Sequence, residues 1–131
     1  MQVVTPIDIA DALRVDLSAA VDELRFCCIP IPPDLKPGDV VIESLGGSSV
    51  SGASDVYDVT FGVYAVDDAE ATQAANMLNG IVSSLPLRDT MTQYSDVSTR
   101  KPYADNDPRA PQLSRQSFRA SIICPGERIE F

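Results

Sequence analysis

A chain of 131 residues with 19 acidic and 10 basic side chains, net charge −9, is sized for one domain with an ordinary core. Its acidity argues against a nucleic-acid surface, which needs clustered Lys and Arg to neutralise phosphates, and no apolar run nears the ~20 residues of a membrane helix. There is no histidine, which removes the commonest general base and metal ligand together and weakens the case for an enzyme, though carboxylate or lysine chemistry stays open.

Cys27, Cys28 and Cys124 are an odd set that argues against a secreted disulfide framework. They read as small buried hydrophobes in a reducing cytosol. Met1 to Pro6 shows no basic region followed by an apolar stretch, so no secretory signal is expected. The charge is unevenly spread: residues 1–85 carry three basic against 13 acidic side chains, and residues 86–131 carry seven against six. This is either a solvated acidic surface or the basis of head-to-tail complementarity between copies, with electrostatics setting orientation.

A first helix is signalled by Thr5 as N-cap, Pro6 at the first helical position, and Asp8 and Asp11 at the positive end of the dipole. Ile9, Leu13, Leu17 and Val21 have helical spacing, with a possible break over Val15 to Ser18, where the pattern also alternates. Arg25 to Ile31 reads as a short strand stopped by Pro30, Pro32 and Pro33, and Pro37-Gly38 punctuates a turn. Val40 to Leu45 is a strand by its β-branched content, and residues 46–54 a flexible Gly-Ser connection.

Asp55 to Val66 is the clearest strand. Tyr57, Val59, Phe61, Val63 and Ala65 share one face, and Asp58, Thr60, Gly62 and Tyr64 the other, as in an antiparallel strand with one side buried. Asp67 with Glu70 matches a capping box before a helix from Asp68 to about Leu85, ended by Pro86. Ala71, Ala74, Leu78, Ile81, Val82 and Leu85 form its apolar stripe. Arg88 to Val97 is expected as a strand, followed by a flexible or interface arm at 98–112. A last strand runs from about Leu113 to Cys124, with Phe118, Ala120, Ile122 and Cys124 on one face, before a short tail, Glu127 to Phe131. The expectation is one α+β domain: a mainly antiparallel sheet with two helices packed on one face and a long arm.

No constellation names a reaction. Gly46-Gly47-Ser48-Ser49 lacks the Gly-Lys-Ser/Thr ending of a phosphate loop and does not precede a helix. Asp105-Asn106-Asp107 has the carboxylate density for calcium but not the further ligands, glycine and terminal Glu of a calcium loop. A turn that orders the arm suits it better. Asp67-Asp68 is explained by helix capping. Arg100-Lys101 is too small a basic patch for specific nucleic-acid binding, and with Tyr94 and Tyr103 it fits a salt bridge or cross-subunit contact. No catalytic, cofactor-binding or metal-ligating residue is assigned, and no cofactor.

The order of elements resembles the tail terminator (tail completion) proteins of long-tailed bacteriophages. The resemblance is carried by the N-terminal helix, the strand ending in Leu45-Gly46-Gly47, the strand Asp55-Val56-Tyr57-Asp58-Val59-Thr60-Phe61-Gly62-Val63-Tyr64, the Ala-rich helix Ala69 to Leu85, and Lys101-Pro102-Tyr103-Ala104-Asp105-Asn106-Asp107-Pro108. In that family a Pro-aromatic-x-Asp stretch precedes a last strand carrying an Arg, a place held here by Arg115 or Arg119. The pattern is diffuse and spans most of the chain, and the segment Cys27-Cys28-Ile29-Pro30 with Pro32-Pro33 departs from it.

The resemblance implies a non-enzymatic virion neck protein, assembled in the host cytoplasm. It would form a homo-oligomeric ring, typically hexameric, on the head-proximal end of the tail tube. Its partners would be itself, the tail tube protein and a head–tail connector or stopper, with no membrane and no specific nucleic acid. Such a ring needs a closing interface between two different patches, and an arm that orders on assembly suits it. Arg100, Lys101, Tyr103, Asp105, Asp107, Arg109 and Arg115 are the expected subunit and tube contacts, the bland alternative being a solvated loop. A head-completion stopper, a module of a phage-derived particle, and a small ligand-binding or enzymatic α+β domain are the other readings.

Overall fold

A computed structural model describes residues 1–130. It is an α+β fold. Strand β1 (Gln2–Thr5) leads to helix α1 (Ile9–Ala20), short strand β2 (Arg25–Cys27) and the long hairpin of β3 (Asp39–Ser49) and β4 (Ser54–Ala65). Helix α2 (Asp68–Ser83) and a 3-10 turn (Leu85–Leu87) follow, then β5 (Asp96–Thr99), β6 (Tyr103–Ala104), β7 (Ser114–Pro125) and β8 (Glu127–Glu130). The main sheet runs β2-β3-β4-β7-β5, with β6 also beside β7, and β1 and β8 form a separate two-stranded sheet. All pairs are antiparallel except β2 with β3, which run parallel.

The core lies between one sheet face and the two helices. Alternation puts Tyr57, Val59, Phe61 and Val63 of β4 on the covered face, opposite Ile122, Ala120, Phe118 and Gln116 of β7. Phe61 and Phe118 stack with centroids 4.9 Å apart. Ile9, Leu13 and Leu17 of α1 and Ala75, Leu78 and Val82 of α2 close over them in one cluster. The opposite face carries a smaller cluster of Val41, Tyr64 and Ala110, flanked by Ile31, Leu35 and Leu113 from two loops. No helix among the described residues is long and apolar enough to cross a membrane.

Several local expectations are corrected, each by a partner far away in sequence. Helix α1 starts later than Thr5-Pro6 predicts. Its cap is Asp8, whose Oδ1 accepts from the Asp11 N–H at 3.2 Å, because residues 2–5 are drawn into pairing with Glu127–Glu130. The tail is therefore a strand, and Phe131 lies outside the described residues. The helix runs unbroken through Val15 to Ser18. Strand β2 stops at Cys27, well before the prolines.

Residues 46–49 belong to β3 and are not a flexible connection. A bulge between Ser44 and Gly47 takes up the one extra residue on β3. Gly46 sits at φ 94°, and a Cβ on Gly47 would lie 1.9 Å from the Val56 carbonyl oxygen, so the bulge is built on two positions that only glycine fills. The expected strand over 88–97 forms only from Asp96. The N-cap half of the capping box predicted for α2 forms, Asp67 Oδ1 accepting from the Glu70 N–H at 2.9 Å, without a return bond from the Glu70 side chain among the described residues.

Candidate functional site

Residues 98–112 lie along the chain's own sheet. β5 and β6 both add to the edge of β7, and the segment then folds over the outer sheet face, where Asp107 and Ala110 are buried. The turn between the two strands is fastened to α2. Asn79 accepts from the Thr99 hydroxyl at 3.1 Å, and its amide donates to the Arg100 carbonyl at 2.7 Å.

The seven candidate residues separate into two groups. Asp105, Asp107, Arg109 and Arg115 form one internal network around Tyr64. Asp107 is 3% exposed. Its carboxylate accepts from the Tyr64 hydroxyl at 2.7 Å, and from the Arg109 backbone N–H at 2.9 Å and Nε at 3.1 Å. Arg115 reaches into the same site from β7. It donates to the Asp105 carbonyl and, at 3.1 Å, to the Tyr64 hydroxyl, and lies 3.2 Å from the Asp105 carboxylate and 3.6 Å from that of Asp107. Its guanidinium also sits 5.6 Å from the Tyr64 ring centroid, a cation–π contact. Ser117 completes the set with a 3.0 Å bond to Asp105.

The electrostatics follow from this geometry. Burial alone would raise the Asp107 pKa, but hydrogen bonds from Arg109 and Tyr64 reverse that and hold it at about 2. The Tyr64 phenol is raised, by burial first and then by its bond to Asp107. Both Asp107 oxygens and Oδ2 of Asp105 accept from or pair with Arg, hydroxyl and backbone donors, and these contacts order the segment. Among the described residues no group of three potential metal ligands converges.

Arg100, Lys101 and Tyr103 form the second group. They are exposed at the β5–β6 end of the sheet, Tyr103 by 56%. Arg119, the other residue considered for the last-strand Arg position, lies at the same corner, its backbone carbonyl accepting from the Arg100 N–H at 2.9 Å. Sequence reasoning missed Tyr64 and Ser117 as members of the network. Tyr64 had a signal: it is the one large aromatic on the polar face of the β4 alternation.

A second buried site was not foreseen. Asp16 of α1 is 5% exposed and accepts from the Met91 N–H at 2.8 Å, the Thr92 N–H at 3.2 Å and the Tyr94 hydroxyl at 2.7 Å. Burial, and next this bond, push the Tyr94 phenol well above its ordinary range. The clasp explains why 88–95 is a shaped loop: its backbone N–H groups satisfy a buried carboxylate instead of a neighbouring strand. Among the described residues every buried side-chain polar atom has a partner.

The thiols carry no nucleophilic signal. Burial raises Cys27 and Cys28, and takes Cys124 to about 11. The recess on the outer sheet face, about 280 Å³ and bordered by Glu43, Thr60, Gly62, Arg115 and Ser117, is floored by the network just described. Its guanidinium is already matched to two carboxylates. No family model matches the chain, and no curated protein matches it.

Proposed function

We propose that this chain is a structural neck protein of a long-tailed phage or a related particle. It caps the head-proximal end of the tail tube as a ring, stops tube polymerisation and offers the surface on which the head joins. The observation that supports this most is the meeting of Asp105 and Asp107 with Arg115 across the β6–β7 edge. The sequence resemblance rests on a Pro-aromatic-x-Asp stretch followed by an Arg on the last strand. Here those residues are spatial partners, with Arg115 rather than Arg119 in the Arg position. Their shared role is to seat the segment after Tyr103 on the sheet.

The architecture is compatible with a ring. A single sheet ending in two dissimilar edges, β2–β3 on one side and β5–β6 on the other, has the two different patches that a closing head-to-tail interface requires. A ligand-binding or enzymatic reading has less support, since the polar groups around the outer recess are spent on one another.

The test is electron microscopy of lysates from a phage with an early stop codon in this gene. The expected result is overlong tail tubes, or finished heads and tails that do not join. Full heads that leak DNA beside tails of normal length would move the protein to the head side of the neck, as a stopper. Normal infectious particles would exclude a role in virion assembly.

A further inference from the structure

The outer sheet face is covered by a second layer that is separate from the main core. Its apolar cluster, Val41, Tyr64 and Ala110 with Ile31, Leu35 and Leu113 beside them, shares no residue with the cluster between the sheet and the helices. Two loops build this layer. Residues 28–38 hold no buried residue, and of residues 101–112 only Asp107 and Ala110 are buried. A cavity of about 370 Å³ opens between the loops, lined by Pro33, Leu35 and Lys36 of one and by Arg109 and Gln112 of the other.

The second loop is held to the sheet at one point. From Asn106 to Gln112, every hydrogen bond and ion pair that reaches the sheet runs through the Asp107 carboxylate, to Tyr64 of β4 and Arg115 of β7. The other bonds of this stretch are local. Arg109 closes on the Asp107 carboxylate, and the N–H groups of Ala110 and Leu113 donate to the carbonyls of Asp107 and Ala110. The surface beneath is fixed by contrast, since Tyr64 and Arg115 face each other within the β4–β7 ladder. A segment with few buried apolar contacts and a single anchor opens at lower cost than the core it covers.

We propose that residues 106–112 are a lid latched by Asp107. The lid leaves the sheet as a unit, hinged at Asp105 and Leu113, while β4 and β7 stay paired. Opening withdraws Ala110 from the Val41–Tyr64 cluster and leaves Arg115 with Asp105 as its one carboxylate. The device is internal to the chain and does not depend on the ring reading.

Cleavage of the native chain by trypsin tests it, because the bond after Arg109 lies inside the lid. The cut at Arg109–Ala110 is followed by mass spectrometry, with rates corrected for trypsin activity on a small substrate. In the wild type the cut is expected to occur at a rate nearly flat in urea below the unfolding transition, since lid opening exposes little surface. The nicked chain should remain one folded species, because β7 pairs with β4 along its whole length. Asp107→Asn should speed the cut at least about tenfold. Val59→Ala, in the main core, should lower the urea midpoint yet leave the cut rate within about twofold. The urea series makes the same distinction without a core variant. A wild type that is never cut there, a cut rate that climbs with urea as steeply as global unfolding, or an Asp107→Asn chain cut no faster than wild type would each overturn the lid. So would a Val59→Ala chain cut as fast as Asp107→Asn, or nicked halves that separate in native buffer.

Discussion

At the scale of single residues, the chain's most committed side chain is Asp107. It is buried on the outer sheet face, distant in sequence from its partner Tyr64, and is held ionised by Arg109, Tyr64 and Arg115. Its folded pKa of about 2 lies below the unfolded value. The stability it contributes is therefore complete above about pH 4 and is lost as pH falls towards 2. Asp107→Asn is expected to cost about 2 kcal/mol at neutral pH, the scale of hydrogen bonds to a charged group. In urea unfolding at a series of pH values, the gap between wild type and variant should narrow below about pH 4. A constant gap would mean that the carboxylate's charge contributes nothing.

Among the elements, the β3–β4 arm and the 88–95 loop are held by different means. The arm depends on close backbone approach. Gly47→Ala would drive a Cβ into the Val56 carbonyl and should cost about 1–3 kcal/mol, the usual range for overpacking. Amide exchange should rise at residues 44–57, while β7 stays protected in the core. The loop depends on one carboxylate. Asp16→Ala leaves two backbone N–H groups and the Tyr94 hydroxyl without their acceptor, at about 1–3 kcal/mol. Faster exchange at Met91 and Thr92, well ahead of global unfolding, is the expected sign. Both elements went unread in the sequence for one reason. The glycine pair looks like a flexible linker and residues 88–97 alternate weakly, and only a distant partner, Val56 in one case and Asp16 in the other, selects the observed form.

For the molecule as a whole, the candidate residues divide by whether their charge is matched inside the fold. Arg100→Glu with Lys101→Glu changes exposed side chains with no internal carboxylate, so folding stability should move by less than about 0.5 kcal/mol. Arg115→Glu places a third carboxylate beside Asp105 and Asp107 and should lower the thermal midpoint clearly. Thermal scans of both variants, followed by sedimentation, separate a contact residue from a folding residue. If the Arg100/Lys101 variant melts as early as Arg115→Glu, the division is wrong.

The sequence alone determined the class of the fold, the faces of β4 and β7 and the capping of α2, because these depend on local periodicity and on a side chain reaching three residues along the chain. It also marked Asp105 and Asp107 as residues that order the segment around them. Only the tertiary structure decided that this segment lies on β7, that Arg115 rather than Arg119 joins the carboxylates, that residues 2–5 pair with the tail, and that Asp16 holds the 88–95 loop. Each of those outcomes is a match between groups far apart in the chain, one hydrogen-bond donor or charge finding its complement across the fold. No local pattern records such a match.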